Sequence, residues 1–99
     1  MQVKSNIDFE NIVRMREIAE IYKITNQNDK YEKYHRHIIR ICDRTPKDEK
    51  ILQYKIHSLN CLGKHYKSLE TTNELLNINP YNMGALLNII KHMKEGLNV

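Results

Sequence analysis

The chain has 99 residues, the size of one small domain without room for a second module. Three glycines, two prolines and one phenylalanine fit poorly with an all-β sandwich, and two cysteines are too few for a disulfide framework. Sixteen basic and twelve acidic residues give a formal net charge of +4, too small an excess for binding nucleic acid by charge alone. No stretch reaches the about 18 apolar residues of a membrane span and no apolar signal core begins the chain, so we expect a cytoplasmic protein that does not enter a membrane.

Apolar residues recur at helical spacing along the whole chain, and no stretch shows the alternation of a strand. In chain order, this pattern predicts five helices, over residues 8–27, 30–44, 47–61, 64–78 and 81–95. We therefore expect an all-α protein.

The chain also repeats at an interval of 34 residues, the distance between Pro46 and Pro80. The same shift aligns Asn26 with Asn60 and apolar residues with one another. The apolar columns are Ile18 with Leu52 and Leu86, Tyr22 with Ile56 and Ile90, and Ile41 with Leu75. A period of this length is typical of a repeated helical hairpin.

Residues that commonly begin or end helices recur with the same period. Thr45-Pro46 predicts a capping hydroxyl followed by a proline at the first helical position, and Asn79-Pro80 repeats the arrangement. Gly63 interrupts a helical pattern where a left-handed residue is needed, and Asn28-Asp29 hold the corresponding place one repeat earlier. Each unit is therefore predicted to be a helix, a tight turn and a second helix.

On these features, segments 15–48 and 49–82 resemble tetratricopeptide repeats (TPR), and segment 83–99 resembles a further first helix, over 83–96. The resemblance implies a single domain, a right-handed α-hairpin solenoid with two TPR-like repeats and a terminal fifth helix. The chain departs from the family where helices cross closely, because Tyr22, Ile56 and Ile90 stand in a column where the family prefers small residues.

The resemblance also implies a function. First helices of successive repeats line a concave groove that binds an extended peptide or a helix of a partner, so we expect a protein–protein interaction module, or adaptor. By helical phase, the partner-binding groove comprises Arg16, Glu20, Lys23, Asn26, Lys50, Gln53, Tyr54, His57, Asn60, Asn88 and Lys91. Basic and amide groups dominate this set, which suits a protein or peptide of acidic character. Only Lys23 matches the residues with which some family members grip a terminal carboxylate.

The fifth predicted helix is apolar around more than half of its circumference. Its apolar residues are Leu86, Leu87, Ile89, Ile90 and Met93. A second copy of the chain, a partner helix or further repeats would each cover this face. We favour self-association as a homo-oligomer, because symmetric pairing is the commonest way to cover such a patch.

A basic stripe on the second predicted helix gives the alternative function, a basic RNA-contacting helical module. The stripe comprises Lys30, Lys33, Arg36, Arg40 and Arg44, with His37, Tyr31 and Tyr34 beside it. Glu32 and Asp43 flank the stripe and the net charge is modest, so nucleic acid ranks below protein as a partner.

No motif for catalysis or cofactor binding is present. His57, Cys61 and His65 lie at successive spacings of four, but the turn at Gly63 is predicted to carry His65 onto a different helix. The sequence contains no C-x-x-C or H-x-x-x-H pair, no Gly-flanked serine and no Gly-rich phosphate loop. We therefore expect no enzyme, no cofactor and no metal, with the cysteines as packing residues and the histidines on the surface.

Overall fold

A computed structural model describes the backbone of residues 2–96 and the side chains of residues 9–96. Over this range the chain is all-helical and contains no strand, which confirms the prediction of an all-α protein. The five helices are α1 (Gln2–Ile24), α2 (Asn28–Arg44), α3 (Glu49–Cys61), α4 (His65–Ile78) and α5 (Met83–Lys94). None of the helices within residues 2–96 combines the length and the apolar character that crossing a bilayer requires.

Each helix packs chiefly against the next helix along the chain. One core cluster joins α1, α2 and α3, and it comprises Ile12, Ile38, Ile41, Cys42 and Ile51. A second cluster joins α3, α4 and α5, and it comprises Leu52, Ile56, Leu75 and Ala85. Because α3 contributes to both clusters, it is the central element of the packing.

Cys42 behaves as the sequence predicts. It is 2% exposed, and burial raises the pKa of its thiol to about 12, so the thiol stays protonated at neutral pH. A buried, protonated cysteine packs as a small apolar residue.

The helices that follow the prolines begin later than predicted. The carboxylate of Asp48 accepts a hydrogen bond from the backbone N–H three residues later, so α3 begins at Glu49. Asn82 caps α5 in the same way. Thr45 is not the predicted cap of α3, because its hydroxyl donates to the carbonyl oxygen of Ile41 at 2.6 Å within the last turn of α2. The prolines therefore stand two residues before the true caps.

The first hairpin turn also lies elsewhere than predicted. The left-handed residue is Asn26, with φ 59°, and its counterpart in the second hairpin is Gly63, with φ 73°. The N–H of the next residue, Gln27 in one turn and Lys64 in the other, donates to the carbonyl five residues back in both cases. The predicted pairing of Gly63 with Asn28-Asp29 is wrong, since Asn26 has the conformation that Gly63 adopts.

The period is consequently not uniform along the chain. The caps Asp48 and Asn82 lie 34 residues apart, as predicted, whereas the turn residues Asn26 and Gly63 lie 37 residues apart. The difference arises because α2 has 17 residues and α4 has 14. The predicted alignment of Ile18 with Leu52 and of Tyr22 with Ile56 is therefore wrong by three residues.

The corrected register changes which α1 residues correspond to α3. Counted from the turns, Met15 corresponds to Leu52, and Ala19 corresponds to Ile56. Ala19 is fully buried, whereas Ile18 and Tyr22 are only partly buried. A small side chain, and not Tyr22, therefore occupies the column of Ile56 and Ile90 in the first hairpin.

Polar contacts tie the junction between α4 and α5 to the start of α3. Glu49 Oε1 accepts hydrogen bonds from Asn79 Nδ2 at 2.9 Å and from Asn82 Nδ2 at 2.8 Å. These two donors hold the pKa of Glu49 below its usual value. The junction between α4 and α5 is thereby in direct contact with the first residue of α3.

Candidate functional site

Three open depressions lie side by side on the surface formed by α1, α3 and α5. One, of about 310 Å³, lies between α3 and α5, and the other two, of about 350 and about 340 Å³, lie along α1 and α3. His57 lines all three, while Arg16 and Gln53 each line two. Because the depressions share these residues, they form one continuous surface, which we call the groove.

Most of the predicted partner-binding residues line this groove. They are Arg16, Glu20, Lys50, Gln53, Tyr54, His57, Asn60, Asn88 and Lys91. Lys23 lies outside the three depressions, with Nζ 5.9 Å from the centre of the Tyr31 ring. Asn26 is not on the groove helix, because α1 ends at Ile24 and Asn26 belongs to the turn.

Sequence reasoning missed several groove residues, one of which the corrected register would have found. Val13 corresponds to Lys50 when α1 and α3 are aligned at the turns, and both line the groove. Gly84 lies 34 residues after Lys50 and lines it as well. Phe9, Glu17 and Leu87 also contribute to its walls.

Two cations of the groove are held against aromatic rings. Arg16 Cζ lies 5.0 Å from the ring centre of Tyr54, and Lys50 Nζ lies 5.5 Å from that of Phe9. The two rings contact each other edge to face at 5.6 Å. Each cation–π contact contributes about 0.5–1 kcal/mol at an exposed site. Both positive charges are thus positioned at the groove wall in the absence of any partner.

The pKa of His57, at the centre of the groove, depends on the charged side chains around it. Its pKa is lowered by burial in the first place, and then by the positive charge of Arg16. Lys91 and Lys23 lower it further, while Glu20 acts in the opposite direction. Positive charge therefore outweighs negative charge at this point.

Asn88 does not offer its amide to a partner as predicted. The residue is only 7% exposed, and its Nδ2 donates to Ser68 Oγ at 3.0 Å and to Thr72 Oγ1 at 2.8 Å. Its Oδ1 accepts a hydrogen bond from Asn60 Nδ2 at 2.8 Å. The amide groups of Asn88 and Asn60 thus form part of a buried polar network behind the groove.

A first histidine cluster lies beside the groove, and we call His35, His57 and Cys61 cluster 1. The ligand-type atoms of the three side chains lie within 4.8 Å of one another. His35 Nδ1 is hydrogen-bonded to Ser58 Oγ at 2.9 Å, and His57 Nε2 lies 3.5 Å from Cys61 Sγ. The expectation that histidines lie on the surface is wrong for His35, which is 2% exposed and whose pKa burial lowers to about 4.

A second cluster joins the start of α4 to the end of α5, and we call His65, His92 and Glu95 cluster 2. Its ligand-type atoms also lie within 4.8 Å of one another. His92 is fully buried, again contrary to the surface position expected from the sequence. His65 Nδ1 and His92 Nδ1 are buried and have no hydrogen-bond partner among residues 9–96. The line of His57, Cys61 and His65 seen in the sequence is thus divided between the two clusters.

The predicted oligomer face of α5 is exposed in the monomer. Leu87 and Met93 are 55% and 58% exposed, Leu86 and Ile90 are also exposed, and Ile89 is partly buried. Large apolar side chains are therefore available along one side of the last helix.

The tyrosines beside the basic stripe of α2 are engaged in packing. Tyr34 packs on Tyr22 with ring centres 5.5 Å apart, and Tyr31 packs edge-on against His35 at 4.7 Å. The stripe itself is exposed, with one of its guanidinium groups, that of Arg36, 3.6 Å from a carboxylate oxygen of Glu32. Both tyrosines are partly buried, so their rings are engaged in packing between helices.

Comparisons of the chain with protein-family models, with curated proteins and with solved structures find no significant match.

Proposed function

We propose that the chain is a cytoplasmic adaptor that binds an acidic segment of a partner protein in the groove. In this proposal the five helices form a right-handed solenoid of two tetratricopeptide-like hairpins followed by α5, and the protein performs no chemistry of its own. A groove on stacked first helices binds a partner by shape and charge, so no catalytic group is needed.

Three features support the stacked arrangement. Each helix packs chiefly against its neighbour in the chain, which is the contact pattern of a repeat stack. The two hairpin turns have the same hydrogen bonds, and the two junctions have the same kind of cap. Ala19 supplies a small residue in the column where the family prefers one.

The observation that carries the binding proposal is the positive charge along the groove. Arg16, Lys50 and Lys91 line its three depressions, and two of these cations are held on aromatic rings. Glu17 and Glu20 are the opposing carboxylates and lie together at one end, in the depression along α1. A carboxylate-rich segment gains charge-assisted hydrogen bonds at cations that are already positioned.

Fluorescence anisotropy with a labelled peptide of ten alternating Asp and Glu residues tests this proposal. The triple variant Arg16→Gln, Lys50→Gln, Lys91→Gln should bind the peptide at least about tenfold more weakly, because three charge-assisted contacts are lost. The matched control Arg36→Gln, Arg40→Gln, Arg44→Gln removes the same charge from α2 and should change binding less than about twofold. Equal losses in the two triple variants would reject the groove as the binding site.

The same proteins separate the alternative of an RNA-contacting module, which the exposed basic stripe of α2 supports. Labelled single-stranded oligouridine should bind more weakly than the acidic peptide. If RNA binding is instead tighter, falls steeply with salt and is lost in the α2 variant, the RNA function replaces the adaptor.

We further propose that α5 mediates self-association through Leu86, Leu87, Ile89, Ile90 and Met93. The exposed apolar side chains of this face support the proposal, since such a patch is normally covered in solution. Ile90→Lys should lower the mass measured by light scattering, whereas Ile24→Lys, at an exposed apolar residue of α1, should leave it unchanged. An unaltered mass for Ile90→Lys would reject self-association through α5.

A further inference from the structure

We propose that cluster 2 is a binding site for a divalent late first-row transition-metal ion, with His65, His92 and Glu95 as ligands. Two imidazole nitrogens and a carboxylate oxygen are the donor set, and they converge from the first residue of α4 and the C-terminal end of α5. Zn²⁺ is bound by such donors in proteins.

The protonation of His92 follows from the buried hydrogen bonds around it. Thr72 donates its hydroxyl proton to the carbonyl oxygen of Ser68 at 2.8 Å, so Thr72 Oγ1 can only accept from Asn88. The nitrogen of the Asn88 amide must therefore face Thr72, and its oxygen must face Asn60. Asn60 then presents its own oxygen on the other side.

That oxygen determines the tautomer of His92. Asn60 Oδ1 lies 3.0 Å from His92 Nε2 and can only accept, so Nε2 carries the proton of the neutral ring. His92 Nδ1 is then an unprotonated lone pair. It is fully buried and lacks a hydrogen-bond partner among residues 9–96.

The neighbours of this nitrogen are two further side chains that can ligate a metal ion. Glu95 Oε1 lies 3.3 Å from His92 Nδ1, and the ring of His65 stands edge-on to that of His92 with centres 5.0 Å apart. His65 Nδ1 is likewise buried and unpartnered among residues 9–96. A buried, unprotonated ring nitrogen without a hydrogen-bond donor, as at His92 Nδ1, is unfavourable, and a bound cation would remove this cost.

The geometry suits a metal ion in two further respects. Donors bound to Zn²⁺ at its usual bond lengths stand about 3.4 Å apart, close to the spacing of His92 Nδ1 and Glu95 Oε1. The hydrogen bond from His92 Nε2 to Asn60 is the outer contact that metal-bound histidines normally make, and it fixes the ring. Glu95 has a side chain that is 48% exposed, which leaves a path from solvent.

A bound ion would also join two helices that have comparatively few contacts. The packing of α4 on α5 is the sparsest of the four consecutive helix pairs. Because His65 begins α4 while His92 and Glu95 lie at the C-terminal end of α5, the ion would fasten this pair and stabilise the folded state.

Titration of the untagged, chelator-treated full chain with Zn²⁺ tests the site, by calorimetry and by thermal unfolding. We expect one equivalent to bind and the Tm to rise. Glu95→Gln and His65→Gln, at residues that are not fully buried, should each weaken binding at least about tenfold, since even outer contacts of a metal site contribute that much. His37→Gln and Cys61→Ser are the matched controls and should bind as the parent does.

Co²⁺ gives a second readout that distinguishes the two clusters. We expect visible ligand-field bands without the ultraviolet charge-transfer band of a cobalt–thiolate bond. Absence of Zn²⁺ binding, undiminished binding in both Glu95→Gln and His65→Gln, or loss of binding in Cys61→Ser would each overturn the proposal.

Discussion

Two histidine clusters in this small protein have similar compositions but differ in the hydrogen bonding of their ring nitrogens. In cluster 1, His35 Nδ1 is bound to Ser58, and His57 is paired with Cys61 on the same helix. In cluster 2, His65 and His92 each leave a buried ring nitrogen without a partner among residues 9–96. Proximity of ligand-type side chains is therefore a weak criterion for a metal site, and the state of each lone pair discriminates better.

The clusters also differ in their relation to the groove. His57 lines all three depressions of the groove, so a partner bound there would contact this residue of cluster 1. Cluster 2 is connected to the groove through Asn60, whose amide bridges His92 and Asn88. We accordingly expect a partner in the groove to contact cluster 1 and a metal ion to bind at cluster 2.

The largest expected effect comes from removing the network that orients cluster 2. Asn88→Ala deletes two buried hydrogen bonds and a partly buried one, and it leaves Asn60, Ser68 and Thr72 with unpaired groups. The free energy of unfolding should fall by about 3 kcal/mol or more, because each unpaired buried group costs about 1–3 kcal/mol. Urea denaturation measures the loss, and Asn73→Ala, at an exposed position of α4, should cost less than about 0.5 kcal/mol. Equal stability of the two variants would contradict the network.

A similar loss is expected from acid, through cluster 1. The pKa of His35 is about 4 in the folded protein against 6.5 for the free side chain, because burial disfavours its charged form. Folding thus favours the neutral form of His35. The contribution of His35 to the free energy of unfolding is therefore fully present above pH 6.5. As the pH falls from 6.5 to 4, about 3 kcal/mol of stability should be lost.

Chemical denaturation of the metal-free protein across this pH range measures the effect. His35→Gln should reduce the loss, whereas His37→Gln, at an exposed position of the same helix, should not. A pH dependence that is identical in the two variants would show that His35 is not the group responsible.

A smaller loss of stability is expected when either of two buried serines is replaced by alanine. Ser58→Ala removes the hydroxyl that His35 Nδ1 contacts and should lower the free energy of unfolding by about 1–3 kcal/mol. Ser68→Ala should cost less, because the Asn88 amide keeps its bond to Thr72. Both serines are fully buried, so they form a matched pair, and the reverse order in urea denaturation would contradict this assignment.

The helices could be predicted from the sequence, whereas the register of the first hairpin could not. Helical periodicity is a local signal, and it predicted five helices. The predicted register of the first hairpin was wrong because α2 is three residues longer than α4. The prolines and the caps of α3 and α5 keep the 34-residue interval, so they do not reveal this difference. An asparagine in the left-handed conformation at Asn26 gives a weaker signal than Gly63 does.

The buried histidines were missed for a different reason. His35 is hydrogen-bonded to Ser58, 23 residues away, and His92 is hydrogen-bonded to Asn60, 32 residues away. Each partner lies on another helix, so no local sequence pattern indicates that these histidines are buried. One signal was present in the sequence: His92 and Glu95 are three residues apart and share a helix face. The third donor, His65, becomes apparent only when α4 and α5 are packed together.

The smallest expected effect is the pH dependence that His57 of cluster 1 gives to peptide binding in the groove. Arg16, Lys91 and Lys23 act with burial to lower the pKa of His57, so an anionic peptide beside them should raise it. A group whose pKa rises on binding makes binding tighter as the pH falls, and the affinity for the acidic peptide should increase by a few-fold from pH 7.5 to 5.5.

His57→Gln should remove most of this pH dependence while leaving the affinity at pH 7.5 almost unchanged, because His57 is uncharged there. The matched control is again His37→Gln, which should retain the full dependence. Anisotropy titrations at the two pH values give the comparison directly. If the parent and His57→Gln respond alike, the peptide does not bind next to cluster 1, and the central part of the groove is not its site.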